Sequence, residues 1–233
     1  MNSNEYKEII SYYTDNPVSQ TVMKSLQDKG FPIKHIREFN PNVPAIFYGI
    51  LRGAGLWQHT MKSIGVDWFY IDNGYSGAQY VDKKGIKSME GTYRVCKNKK
   101  IEQYPNPPKI GDIPKSVLVL PPSEATAFAD GTTIDDWMNE QVSILSMPYQ
   151  IRKKNCNIEL EDQLSHFDGM LCYNSMAALE AVRQGKSVHT TNGIFPFTGV
   201  TNSNYYDYEN LKSFYIDKQF TLENLYKGIE CLI

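Results

Sequence analysis

The chain has little with which to bind metals or build covalent staples. Its 233 residues include 4 cysteines, Cys96, Cys156, Cys172 and Cys231, which lie far apart with no CxxC spacing. Neither a zinc site nor a disulfide framework follows, and reduced, mostly packing cysteines are the simpler reading. There is no HExxH, no nucleophile elbow with a Ser-His-Asp order, and no DxD-like pair beside an acceptor strand. An obligatory metal or cofactor is therefore not expected. Charge of one sign is also lacking: 24 lysines and arginines against 26 aspartates and glutamates leave a net charge of −2. That excludes a general attraction to nucleic acid, so any contact with DNA has to use a local patch. No apolar run approaches membrane-spanning length, and the opening MNSNEYKEII has no basic stretch followed by an apolar core. The expectation is a soluble, cytoplasmic protein without a membrane partner.

What the chain does have is the periodicity of alternating strands and helices. Tyr6 to Tyr13 reads as a strand, and Thr14-Asp15-Asn16-Pro17 as a turn that caps a helix through Asp15 or Asn16 with Pro17 at the first helical position. The helix predicted from there runs to about Lys29 with Val18, Val22, Met23 and Leu26 inward, and Gly30 ends it. Phe31 to Ile36 returns as a second strand, Ala45 to Leu51 as a third, and Asp67 to Ile71 as a fourth, with a helix carrying Leu56, Trp57 and Met61 before the last. From Gly77 to Pro108 the periodicity fades, apart from a short strand pattern at Tyr93 to Cys96 and a basic cluster of Lys97, Lys99 and Lys100. Asn106 to Pro114, with three prolines and a glycine, is the best linker.

A second α/β half follows. Ser116 to Leu120 (SVLVL) suits a central parallel strand. Pro121-Pro122-Ser123-Glu124 breaks it, and a loop containing Asp130-Gly131-Thr132-Thr133 leads to a helix over Ile134 to Leu145. Pro148 to Arg152 is a strand and Leu160 to His166 a short helix. From Asp168 to Thr190 the pattern is most compact: an apolar strand, a polar Asn174-Ser175 break, a helix burying Met176, Ala177, Leu179, Ala181 and Val182, a glycine at 185 where a left-handed cap is wanted, and a returning strand. The expected architecture is α/β, with two Rossmann-like lobes of parallel sheet and a cleft between them. Residues 1–112 form the first lobe and 113–204 the second, and tyrosine-rich helical segments in 205–233 pack back on the first.

In open α/β sheets ligands bind at the carboxyl edge. Ser123, the Arg152-Lys153-Lys154 run and Asn174-Ser175 all follow strands of the second half and converge there. Each has a plainer explanation as a helix cap or solvated charge; together they predict an anion site, with hydroxyls and amides on phosphate oxygens and Arg152 and Lys153 neutralising a diphosphate. His166 can contact a bound nucleotide or be a surface histidine, and His189 is open to the same two readings. Asp72, before Asn73-Gly74, is either turn chemistry or a carboxylate placed as a general base. The Gly49 to Gly55 stretch fits neither GxGxxG nor GxxxxGK[ST] and is read first as tight turns.

The order VLVLPPSE, a helix with Trp137, then PYQIRKKNCNIELEDQLSHFDGMLCYNSMAALEAVRQGKSVHT resembles the nucleotide-sugar-binding half of GT-B-type glycosyltransferases. It is similar to a compact, phage-encoded group and more distantly to capsule-polysaccharide transferases. The positions that carry the likeness are Asn174, Ser175, Ala178, Glu180, Ala181, Gly185 and Val188, with weaker likeness at YYTDNP and DWFYIDNGY. The resemblance implies a GT-B-like enzyme that takes a nucleotide sugar as co-substrate and transfers the sugar to an acceptor hydroxyl. It also implies a base near that hydroxyl, Asp72 with Glu124 behind it as a second. If the chain is viral, it works in the host cytoplasm and a hydroxymethylated base in DNA is the implied acceptor, touched by Lys97 to Lys100. Two readings from other classes stand beside it: a degenerate fold that binds and sequesters a nucleotide without turnover, and an interaction protein that docks a partner through its tyrosine-rich C-terminal segment.

Overall fold

The turn at residues 14–16 starts the first unit as its chemistry dictates. In the computed structural model, which describes residues 8–50, 53–73, 81–82, 85–86, 92–98, 109–110, 113–153, 156–173, 175, 177–191, 204–205 and 219–233, strand β1 (Ile10–Tyr13) leads into helix α1 (Pro17–Gln27). Asn16 is extended and its Oδ1 accepts from Val18 N at 2.8 Å, while Pro17 occupies a position where a missing N–H costs nothing. Ser19 Oγ accepts from Thr14 N at 3.0 Å and ties the turn to the helix. The inward face of α1 is Val18, Val22, Met23 and Leu26, and Gly30 leaves it with φ 97°. Strand β2 (Ile33–His35) is shorter than expected. The cause is His35, whose Nδ1 accepts from Arg37 N at 3.2 Å and turns the chain into a single 3-10 turn at Ile36–Glu38.

Strand β3 (Ala45–Tyr48), helix α2 (Ala54–Ile64) and strand β4 (Trp68–Asn73) complete a parallel set. A short antiparallel strand pair, β5 (Val81–Asp82) with β6 (Gly85–Ile86), precedes β7 (Tyr93–Lys97). Here the sheet departs from the expected parallel form: β7 runs antiparallel to β4, and β14 (Gln219–Phe220) runs antiparallel to β7, giving the order β14-β7-β4-β3-β1-β2. In its described part, residues 219–233, the C-terminal segment carries β14, a 3-10 turn at Leu222–Asn224 and the six-residue helix α7 (Leu225–Glu230), and residues 206–218 of the expected helical stretch lie outside the described residues. Leu225 and Ile229 join Val22, Met23, Leu26, Ile46, Phe69 and Ile71 in one buried cluster. Each such side chain contributes about 1.5–3 kcal/mol on full burial.

In the second unit, β8 (Lys109–Ile110), inside the stretch expected as a linker, pairs antiparallel with β13 (Asn204–Tyr205). The main sheet is built from β9 (Val117–Leu120), β10 (Tyr149–Ile151), β11 (Gly169–Cys172) and β12 (Ser187–Thr190), all parallel, in the order β10-β9-β11-β12. Between β9 and β10 the expected loop contains a helix, α3 (Glu124–Asp130), before α4 (Ile134–Val142). Ser123 Oγ accepts from Thr126 N at 3.2 Å, three of the seven helical residues are alanine, and Gly131 with φ 77° stops the run. The Pro121-Pro122 pair hid this signal in the sequence. Helices α5 (Leu160–Leu164) and α6 (Ala177–Arg183) connect the remaining strands. Val117, Val119, Leu171 and Tyr173 pack with Trp137, Val142 and Met147 in a buried cluster, and Leu118 and Met170 are buried on the alternate face.

By contacts the chain divides into residues Met1–Lys100, Phe128–Gly131 and Tyr215–Ile233, and residues Ile101–Ala127 and Thr132–Phe214. Both units place their first strand between the second and the third, with the fourth outside the third. That is the doubly wound, Rossmann-like order, in which successive crossovers leave the first and third strands toward opposite faces and open a crevice between their carboxyl ends.

Candidate functional site

In the second unit this switch point lies between β9 and β11. Tyr173 N donates to Leu120 O at 3.3 Å and joins the two strand ends. Ser123 and Ser175 each stand three residues beyond these neighbouring strands and both are half-buried. Ser123 Oγ lies 2.8 Å from Thr126 Oγ1, and Ser175 Oγ accepts from Ala177 N at 3.2 Å, so each hydroxyl also opens the helix that follows it. Behind them Trp137 Nε1 donates to Thr191 Oγ1 at 2.6 Å and its ring meets Tyr173 edge-on. Burial pushes the Cys172 thiol up to about 12, leaving it a packing group.

Arg152 follows β10 at the same edge, with its backbone N donating to Val119 O at 2.8 Å. Its guanidinium NH1 donates to Gln163 Oε1, and its NH2 donates to Ile158 O at 2.8 Å. Lys153 is exposed. Asn174 and Lys154 lie outside the described residues. His166 is exposed and sits in the turn between α5 and β11, at the amino edge of the sheet. A four-residue strand at ~3.3 Å per residue separates it from the edge that carries Ser123 and Ser175 by roughly 13 Å. His189, on β12, is partly buried, and burial holds its imidazole below the usual range. Gln163 was not legible as a site residue; its signal is a polar side chain at an inward position of α5, where it is 5% exposed.

The two carboxylates read as bases belong to different units. Asp72, in β4, lies opposite Arg94 of β7. Its Oδ2 accepts from Arg94 NH2 at 2.7 Å and from Tyr70 OH at 2.8 Å, and its Oδ1 accepts from Asn73 N at 2.8 Å. Burial, and then the nearby Asp72 carboxylate, raise the Tyr70 hydroxyl well above its usual value. Tyr48, raised by burial, donates to Asn73 Oδ1 at 2.9 Å. Glu124 is exposed at the first position of α3. In the glycine stretch Gly49 and Gly53 have φ of 66° and 94°, which only glycine adopts readily, and Gln58 Nε2 donates to Gly49 O at 2.8 Å. Lys97 is paired with Asp67 at 2.7 Å, and Lys99 and Lys100 lie outside the described residues.

Among the described residues no group of three His, Cys, Asp or Glu side chains is placed to hold a metal ion, and no helix is long and apolar enough to cross a membrane. No family model matches the chain, and no curated protein matches it. Two solved structures from Thermosulfurimonas dismutans are weakly similar. One is the KpsC beta Kdo 2,4 transferase, at 9% identity and TM-score 0.43, covering 89% of this chain and 90% of that one. The other is the KpsC beta Kdo 2,7 transferase, at 11% identity and TM-score 0.46, covering 95% of this chain and 98% of that one.

Proposed function

We propose that this protein transfers a sugar from a nucleotide-activated donor to an acceptor hydroxyl. The observation that carries the reading is the pairing of β9 with β11, which sets the strand ends that lead to Ser123 and Ser175 side by side at the switch point, the place where doubly wound sheets take phosphate-bearing ligands; the GT-B-like residue pattern from Asp168 to Thr190 supports it. The two hydroxyls, Arg152, Lys153 and Asn174 hold the donor diphosphate. In the reaction the bond from the anomeric carbon to the diphosphate oxygen breaks and one to the acceptor oxygen forms. The acceptor proton passes to Asp72 or Glu124, and Arg152 stabilises the departing diphosphate. A hydroxymethylated base in phage DNA is the acceptor in the fuller form of the proposal, with the Lys97 to Lys100 patch on the strand. The nucleotide sugar is a co-substrate, and no further cofactor enters.

A thermal-shift panel of nucleoside diphosphates, CMP and nucleotide sugars tests the donor site. A ligand at 100 times its Kd adds about 2.7 kcal/mol of stability. A panel in which no nucleotide raises Tm removes the proposal and moves the partner-docking reading ahead. The acceptor is tested by incubating 5-hydroxymethylpyrimidine DNA with each nucleotide sugar and measuring its mass.

The sequestering reading draws support from Asp72, whose oxygens already accept from Arg94, Tyr70 and Asn73. Substituting Asp72 and Glu124 separates the two: a transferase loses turnover and keeps donor affinity, whereas a sequestering protein keeps both its ligand and its effect.

A further inference from the structure

Four arginines lie among the described residues, and three of them are matched to carboxylates. Arg37 pairs with Asp15 at 3.1 Å, Arg94 with Asp72 at 2.7 Å, and Arg183 with Glu161 at 2.8 Å and Glu180 at 2.6 Å. Arg152 is built differently. Both of its acceptors are uncharged, the Gln163 side-chain amide and the Ile158 carbonyl. Two of its five N–H donors are thereby engaged and its full charge is left uncancelled. Nor is the holding group a mobile surface side chain: Gln163 is 5% exposed beside the fully buried Leu164. A long arginine side chain normally gives up substantial rotamer freedom when it grips an anion, and a buried neutral acceptor at Gln163 removes part of that cost in advance.

We infer that Gln163 is a positioning residue that presents Arg152 to the diphosphate. The inference rests on the proposed donor site and goes beyond it by assigning a role to a residue that touches no ligand. A carboxylate at position 163 would grip the guanidinium more strongly but cancel the charge that an anion needs. A neutral amide fixes the geometry and keeps the charge.

Isothermal titration of the full chain with inorganic pyrophosphate tests this, with Tm recorded for every variant. Arg152→Ala is expected to weaken binding by about tenfold or more, the loss of a charge-assisted fork. Gln163→Met, close in volume but without the acceptor, is expected to weaken it several-fold, by an amount that vanishes when Arg152 is already alanine; neighbours acting through one another are non-additive in this way. Arg152→Lys, at a partly exposed position, keeps the charge and loses the fork, and is expected to bind worse than wild type. Wild-type affinity in Gln163→Met or in Arg152→Lys overturns the positioning role, as does a Gln163→Met effect that persists at full size in the Arg152→Ala background. Such results leave the donor site standing provided Arg152→Ala still weakens binding. If wild type does not bind pyrophosphate, or Arg152→Ala binds like wild type, the diphosphate reading falls as well.

Discussion

Arg94 NH2 lies 2.7 Å from Asp72 Oδ2 in directly opposed positions of two antiparallel strands, and the arginine side chain is 6% exposed against 27% for the aspartate. The pair is desolvated on the arginine side and open on the carboxylate side. Asp72 therefore has a structural duty whatever else it does.

Removing one member of such a pair strands a charge. Asp72→Ala is expected to lower stability by about 3 kcal/mol, since it leaves the buried guanidinium without its carboxylate. Urea denaturation measures it, and Asp72→Ala combined with Arg94→Met should recover part of the loss. A single variant as stable as wild type would show that Arg94 is readily hydrated.

His189 contributes a pH dependence of defined sign. Burial holds its folded-state value below the usual 6.5, so the unfolded chain takes up the proton first. Stability is unpenalised above about 6.5, falls as pH drops from there toward the lowered folded value, and levels off below it. Compared with His189→Gln across this window, wild type should lose more stability on acidification. Parallel pH profiles for the two proteins would contradict it.

The cysteines should react in the order of their exposure. Cys172 and Cys96 are buried, with the Cys172 thiol pushed up to about 12, whereas Cys231 is exposed and Cys156 partly so. At about pH 8, Ellman's reagent is expected to modify Cys231 first and Cys156 more slowly, with Cys96 and Cys172 reacting on unfolding. Rapid titration of every thiol in the native protein would contradict the buried positions.

Much of the fold is legible because local patterns and tertiary structure agree. The helix from Pro17 follows from an Asn-Pro cap and a four-residue inward face, and the strand–helix–strand order of residues 169–190 follows from an apolar run, a polar break and a glycine at φ 68°. A buried parallel strand such as VLVL can be recognised without its partners because both of its faces are covered. Ser123 and Ser175 could be placed at strand ends for the same reason. That they follow neighbouring strands depends on β9 pairing with β11 and not with β12, a matter of sheet order that no local pattern encodes.

The sequence by itself determined the alternation of elements, the caps and the carboxyl-edge positions, because these depend on neighbours within a few residues. Tertiary structure decided what depends on distant ones. It paired Asp72 with Arg94 across 22 positions, turned β7 and β14 antiparallel, and set His166 at the edge opposite Ser175. It also gave Arg152 the neutral grip of Gln163. Charge compensation is a property of space, and a basic run such as Arg152-Lys153-Lys154 reads the same in sequence whether a carboxylate or an amide waits beside it.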